Sequence, residues 1–589
     1  MGRGPRAICD SAHSLVRGSR DDGSETARAR EPRRHERGWH LKTNVLYYGD
    51  NLDILRGYIP EESIDLVYLD PPFNSNRDYN VIFKDESGRK SDAQLLAFED
   101  TWHWGPSAEE TYRYLTNTAY HGGRVPSALS SAMNAVRLAL GTNQMTAYLV
   151  EMAVRLVELH RALRRSGSLY LHCDPTASHY LKLVLDAIFG PGCFQNEIIW
   201  RRTSGHTTTR KWPRIHDVLL FYAKDPDKHS FIAQKASASE GWLEREYRHE
   251  DKRGRYSLAD LTAAGTRNGP SGQPWRGVDP AKVGAGRHWR YLPETLDQLD
   301  QDGRLYWPPK GQYPKLKQYL SDSSGATVGD IWADIAISRT SRERLGWDTQ
   351  KPLALLERVI AASSKPGDIV LDPFCGCGTA LVAAQKLGRR WIGIDVTYLS
   401  IAVMRARLRD AFGLEDVPVI GQPTEVEGAR QLAQSPEGRY QFQWWALGLV
   451  DAKPLGGVEK KGSDRGIDGL ITFTDKNNEL QSVLVSVKSG TVNSGMVRDL
   501  KGTLEREKAA IGLFVTLEEP TKEMRLEADT AGIYHSELWN RDYPRIQLLS
   551  IRELLEEHRK PNLPPFVLPS FQQAERLRRS EEEQQRMFG

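Results

Sequence analysis

The residues Asp70-Pro71-Pro72-Phe73 close an apolar run, Ile64 to Leu69, with one acid, two prolines and one aromatic ring. Proline donates no backbone hydrogen bond and fixes φ, so the run reads as a strand that stops there. An acid at the carboxyl end of a buried strand in an open α/β sheet lies where ligands bind. The Asp70 carboxylate can accept one N–H of an amine. The Pro71 carbonyl, claimed by no helix or ladder, can accept the other. Phe73 adds a flat face for stacking, and two acceptors beside an aromatic plate suit a planar, amino-bearing base.

A second cluster lies 300 residues on. Asp368 to Asp372 reads as a strand and runs into Pro373-Phe374-Cys375-Gly376-Cys377-Gly378-Thr379. A helix, Ala380 to Leu387, follows and is stopped by Gly388; Trp391 to Asp395 is the next strand. Glycines in such a turn let backbone approach a ligand, and an acid at the second strand's end can hold ribose hydroxyls. The spacing is not the dinucleotide GxGxxG, so a nucleoside without a pyrophosphate fits better. Asp395 competes with a plain surface acid as a reading, and the presence of both halves of the unit outweighs that alternative. Asp50, ending the strand Val45 to Tyr48, is a further candidate ligand acid. The five cysteines (Cys9, Cys173, Cys193, Cys375, Cys377) form no paired CxxC framework and read as small buried hydrophobes in a reduced, intracellular protein. No Cys/His cluster completes a zinc site.

These groups need a scaffold. At 589 residues the chain exceeds one core, so two or three domains are expected. Residues 1–42 are rich in Arg, Ser, Gly, Asp and Glu and read as a disordered tail; a floppy or over-extended start outweighs an arginine arm on DNA. Strand, helix and strand from Val45 to Leu69 make half of a doubly wound sheet. Ser91 to Arg165 reads as a polar and aromatic loop, including Trp102-His103-Trp104, and then a long helix from Met145. A strand at Gly167 to His172, a helix at His179 to Phe189, and strands at Ile198 to Trp200 and Val218 to Tyr222 follow. Between the last two lies a basic segment flanked by tryptophans, with Arg201, Arg202, Arg210, Lys211 and Trp212. Residues 225–345 lose periodicity but stay rich in Arg and aromatics, which suits phosphate and base contacts better than disorder. Thr349-Gln350-Lys351-Pro352 opens a helix over 353–362. Net charge is only +3, so nucleic-acid affinity must come from these local patches. No run approaches the length of a membrane span, and a cytoplasmic location in a bacterial or archaeal cell is expected.

Taken together, the motifs resemble the β group of amino-group DNA methyltransferases. There a catalytic DPPY/F motif precedes the target-recognition region, and the cofactor-binding FxGxG motif comes last. Here the order is Asp70 to Phe73, the basic–aromatic region, Thr349 to Pro352, and Phe374-x-Gly376-x-Gly378. The resemblance covers residues 44–410. It implies a Rossmann-like α/β sheet over residues 43–415, with an inserted target-recognition region at about 201–345. It also implies that Phe374, Gly376 and Gly378 wrap S-adenosylmethionine, that Asp395 holds its ribose and Asp50 its adenine, and that Asp372, Thr379 and Lys351 line the same pocket. Asp70, Pro71, Pro72 and Phe73 would grip a base flipped out of double-stranded DNA. DPPF favours adenine N6; cytosine N4 stays an alternative, as does a DNA-binding or cleaving protein whose methylase half mainly locates sites. A homodimer is among the open oligomeric states.

After a linker at 416–438, a second unit runs over 439–557, with an extended and then helical tail at 558–589. Asp468 at one strand of a hairpin and Lys488 at the end of its partner resemble the PD-(D/E)xK nuclease core, closest to Mrr-type restriction endonuclease domains. Alternation puts Ser486 and Lys488 on one strand face. Ser486 stands where that family carries Glu or Gln, a weaker ligand for a hard cation, and the helix Gln441 to Leu449 contains no acid. Two readings stay open: Mg²⁺-dependent cleavage with Asp468 as metal ligand and altered partners, or a DNA-binding relic without cleavage.

Overall fold

In this computed structural model the structure describes residues 41–72, 78–84, 90–99, 103–204, 210–236, 240–284, 286–309, 313–322, 326–336, 343–345, 347, 349–434, 436–455, 467–565 and 567. Phe73, Trp102 and the tail over 1–40 lie outside them. The first sheet has nine strands: β1 (Val45–Tyr48), β2 (Ile64–Leu69), β3 (Leu163–Cys173), β4 (Phe194–Arg201), β5 (His216–Ala223), β6 (Ile331–Trp332), β7 (Ile369–Asp372), β8 (Arg390–Asp395) and β9 (Val419–Ile420). Their spatial order is β6-β4-β5-β3-β2-β7-β8-β1-β9. Every neighbouring pair is parallel except those made by β5. This is a doubly wound, Rossmann-like α/β fold. Strands β2 and β7 are covered on both faces and fully buried, which is why they read as apolar runs interrupted only by Asp65 and by the terminal Asp372.

The chain reverses its progress across the sheet between β2 and β7, which pair with Leu66 opposite Val370 and Val67 opposite Leu371. Such a switch point opens a crevice at the strands' carboxyl ends. Helices α1 (Asn51–Tyr58), α2 (Pro106–Thr116), α3 (Ser127–Leu140), α4 (Gln144–Ala162) and α5 (Ser178–Phe189) contribute to one apolar cluster with β1, β2 and β3. Helices α6 (Leu353–Ser363), α7 (Thr379–Lys386) and α8 (Tyr398–Phe412) supply the other.

Two expectations need correction. The stretch read as a loop before Met145 contains α2 and α3; Pro106 starts α2 where its missing N–H costs nothing. The described residues of the region over 225–345 are not all irregular. They build a four-stranded sheet that includes Gly254–Asp260 paired antiparallel with Lys315–Tyr319. A small core of Leu261, Trp275, Trp289, Leu296 and Leu305 lies nearby.

A five-stranded sheet follows: β10 (Lys453–Pro454), β11 (Gly469–Thr474), β12 (Leu480–Lys488), β13 (Ile511–Thr516) and β14 (Ile546–Ser550), in sequential order. Its first two pairings are antiparallel and the rest parallel. Helix α9 (Pro436–Leu449) packs on it, as does α10 (Ser494–Glu507). Among the described residues no helix is long and apolar enough to cross a membrane.

Candidate active site

Asp70 follows β2 directly, beside the loop that leaves β7. Its Oδ2 takes the ammonium of Lys351, and the two side chains are only 18% and 11% exposed. The resemblance placed Lys351 in the cofactor pocket; here it neutralises the acid meant for the target base. A mostly desolvated pair of this kind holds both rotamers, because breaking it strands a charge away from water. Pro71 is buried and Pro72 half-buried. Phe73 lies outside the described residues.

The β7 loop is shaped by its glycines. Gly376 has φ +48° and Gly378 φ +76°, both left-handed. A Cβ on Gly378 would lie 2.7 Å from Met404 Cγ, so any larger residue requires the Met404 side chain to move. The Gly376 amide donates to Asp395 Oδ2 at 2.9 Å, which ties the loop to the end of β8. Asp395 Oδ1 accepts from the Thr397 amide and hydroxyl at 2.9 and 3.0 Å. Asp372 is buried, and its Oδ1 accepts from the Phe374 amide at 3.1 Å. Burial drives the proton affinity of Asp372 well above the usual carboxylate range, and the Asp70 and Asp395 charges add to it. Burial raises Asp395 too, against the donors that hold it.

The other expected cofactor residues are also engaged. Asp50 caps α1 by accepting from the Leu52 amide at 2.7 Å, and its second oxygen pairs with Arg155 at 2.8 Å. Thr379 is buried and accepts from Arg407 at 2.9 Å. The side chain of Gln350 spans 343–345, accepting from Leu345 at 2.9 Å and donating to the Glu343 carbonyl at 2.6 Å. Trp347, in the same turn, was missed by sequence reasoning: its Nε1 lies 3.7 Å from where a Gly376 Cβ would be. An aromatic two residues before Thr349 was the available signal. Val396, directly after Asp395, is 44% exposed despite being apolar.

A buried polar chain runs from β2 toward the basic segment. The Tyr68 hydroxyl is 2.9 Å from His172 Nδ1, and His172 Nε2 is 3.3 Å from Asp217 Oδ2. Arg202 approaches the other Asp217 oxygen at 3.4 Å. Burial alone would raise the Asp217 pKa, but the His172 hydrogen bond and the charges of His172, Lys351 and Arg202 outweigh it and lower it. Of the expected DNA-contact residues, Arg201 donates to the Ala333 carbonyl at 2.9 Å, and Arg210 and Lys211 are exposed. Trp212 is 92% exposed.

In the C-terminal sheet Asp468, Ser486 and Lys488 come together. Asp468 Oδ2 accepts from the Val487 amide at 2.6 Å and from Ser486 Oγ at 3.3 Å, with Lys488 Nζ at 3.7 Å. Its Oδ1 accepts from Gln443 Nε2 at 2.6 Å. One carboxylate already surrounded by donors and an ammonium does not fit a hard divalent cation, which needs several free oxygens. Among the described residues no group of three or more His, Cys, Asp and Glu could hold a metal ion. Of the two readings, the Mg²⁺ site is therefore not supported.

Comparison with known proteins fits this geometry. Residues 64–402 match the N6/N4 methyltransferase family model described as DNA methylase. Residues 456–556 match a model described as NACHT-associated inactive Restriction Endonuclease 1. Type II methyltransferase M.EcaI of Enterobacter cloacae is 34% identical over 263 residues, 44% of this chain and 57% of that protein. The StyLTI Mod subunit, a type III restriction-modification enzyme of Salmonella typhimurium, is 24% identical over 358 residues, 58% of this chain and 50% of its own. The chain thus spans about half the length of these two relatives. The solved PvuII DNA methyltransferase (cytosine-N4-specific) is 13% identical with a TM-score of 0.28, covering 61% of this chain and 84% of that one.

Proposed function

The chain belongs to the N6/N4 DNA methylase family, and from that premise we propose that it transfers a methyl group from S-adenosylmethionine to the N6 of an adenine flipped out of double-stranded DNA, within a restriction–modification system. One observation carries the reading: the acid–proline–proline corner after β2 and the glycine loop after β7 leave adjacent parallel strands at the switch point. A base held at the first would face a ligand held at the second.

The residues fit the cofactor. Asp395 and the left-handed glycines offer an acid and an open backbone to a ribose. The charges of Asp70 and Asp395 both reach Asp372 and raise its proton affinity, so the acids lie near one another, and an ionised Asp395 would attract a sulfonium cation. When bound, the cofactor supplies an activated methyl group on an excellent leaving group. The chain's own work is then positioning. An exocyclic amine is a poor nucleophile because its lone pair is delocalised into the ring. With Lys351 on Asp70 Oδ2, the second carboxylate oxygen and the Pro71 carbonyl can accept the two amine hydrogens. That favours a pyramidal nitrogen with its lone pair directed at the methyl group. Phe73 would stack on the extruded base and offset the unstacking cost of roughly a few kcal/mol. The exposed Arg210, Lys211 and Trp212 would meet the DNA.

The test uses the purified full chain, labelled S-adenosylmethionine and unmethylated DNA digested to nucleosides and separated by mass. N6-methyladenine is expected from the native chain and none from Asp70→Ala. N4-methylcytosine would overturn the base assignment, and no methyl transfer to any DNA would overturn the reading.

A further inference from the structure

Helix α9 reaches in two directions. Gln443 donates to Asp468 Oδ1 at 2.6 Å, while Gln441, two residues earlier and so on the far side of the helix, reaches the first sheet. Gln441 Oε1 accepts from the Tyr398 amide at 3.3 Å and from the Tyr48 hydroxyl at 3.5 Å. Tyr398 is the first residue of α8, and the cap of that helix is Thr397, whose amide and hydroxyl hold Asp395. The first turn of any helix leaves four N–H groups without partners, and here one is satisfied from the C-terminal unit. Tyr48 stacks on Tyr398 at 3.8 Å between ring centroids, with Trp445 of α9 beyond it at 6.4 Å. A single buried cluster runs from Cys377, Tyr398 and Val403 through Phe442 and Trp445 to Phe473. Cys377 lies between the two loop glycines. Apolar packing therefore joins the underside of the glycine loop to the C-terminal sheet at this cluster, and a cavity of about 420 Å³ lies beside it between α8 and the end of α9.

We infer that the C-terminal unit is a brace for the cofactor site. Asp468 anchors α9 through Gln443, and α9 holds Gln441 against the corner that fixes Asp395. Asp468 and Gln441 are positioning residues, and the carboxylate that a nuclease would give to a metal here serves as an internal hydrogen-bond hub. This inference rests on the reading of Asp395 as the ribose-binding acid.

The experiment is calorimetric titration of the full chain with S-adenosylmethionine, with urea unfolding of the cofactor-free variants as the check on folding. Gln441→Met should weaken cofactor binding by about 3- to 10-fold, the equivalent of one or two ordinary hydrogen bonds. Turnover at saturating cofactor and DNA affinity should change less than about twofold on the same scale. Gln441→Glu, which keeps the acceptor, should restore most of the loss. Asp468→Asn should weaken cofactor binding in the same direction. Gln441→Met and Asp468→Asn that bind like the native chain would overturn the brace. So would Asp468→Asn that abolishes Mg²⁺-dependent DNA cleavage and leaves cofactor affinity intact. A native chain that binds no S-adenosylmethionine overturns the cofactor reading as well, so the two failures are told apart.

Discussion

Replacing Gly378 by Ala separates two costs that most glycine substitutions mix. The backbone at Gly378 is left-handed, with φ +76°, which costs an alanine about 1–2 kcal/mol. The new Cβ would also stand 2.7 Å from Met404 Cγ, and Met404 is buried against α7 and β8. Overpacking of this kind costs about 1–3 kcal/mol, at the lower end if the flexible methionine can turn away. Gly388 is the control: φ is +72°, and nothing lies within 4 Å of its Cβ. Urea unfolding should therefore place Gly388→Ala about 1–2 kcal/mol below the native chain and Gly378→Ala about 2–5 kcal/mol below. In a double-mutant cycle Met404→Ala, costly alone, should recover about 1–3 kcal/mol of the Gly378→Ala loss and none of the Gly388→Ala loss. Cofactor affinity should fall only for the Gly378 variant, because in the proposed reading only that loop faces the ligand. Equal destabilisation at the two glycines, or a cycle with no coupling, would refute the steric argument.

Three further outcomes are expected. Lys351→Met strands the Asp70 carboxylate and should lower kcat/KM by about 2–3 kcal/mol, or roughly 30- to 150-fold. The loss should sit in kcat; a loss confined to cofactor affinity would return Lys351 to the cofactor pocket. Asp372 binds its proton more tightly folded than unfolded, so its stabilising contribution is complete below about pH 4 and is lost as pH rises. Asp372→Asn, which keeps an oxygen for the Phe374 amide, should raise the urea midpoint more at pH 8 than at pH 4, and an equal effect at both would count against that sign. Trp212→Ala should leave unfolding unchanged, because the ring is 92% exposed, and weaken single-stranded or flipped-base DNA binding by about 1–3 kcal/mol. Unaltered binding would remove Trp212 from the DNA surface.

Buried parallel strands are the most legible part of such a chain, since both faces are covered and nearly every residue is apolar, Asp65 and Thr516 being the exceptions in the two clearest. Ile64–Leu69 and Ile511–Thr516 have the bounds that their composition suggests. The loop glycines were equally plain, because a left-handed turn leaves few other choices. Helix α2 was not, since only Ala108 and Leu115 of its eleven residues are buried, too sparse a stripe to register. The sheet within residues 249–319 was hidden because its strands pack through His249, Tyr256, Tyr306 and Tyr319 rather than through alternating aliphatics. In the site, the pairing of Asp70 with Lys351 joins residues 281 apart, and no local pattern signals it. Nor does any local pattern show Asp468 as a hydrogen-bond hub, because its donors come from a helix and a neighbouring strand at once.

The register of β1 also dictates when the molecule can become whole. Val45 pairs with Ile392, and the other edge of β1 pairs with Val419–Ile420. At synthesis rates of about 5–20 residues per second, β1 waits roughly twenty seconds to a minute for either neighbour to be made. Meanwhile β2 can add β3 on one side, while its β7 edge stays bare. The emerging chain therefore carries open apolar edges for most of its synthesis, the state in which edge strands recruit wrong partners. A ribosome-stalled chain ending near residue 365 should be cut by protease within β1, and protection there before β8 emerges would contradict this order of assembly.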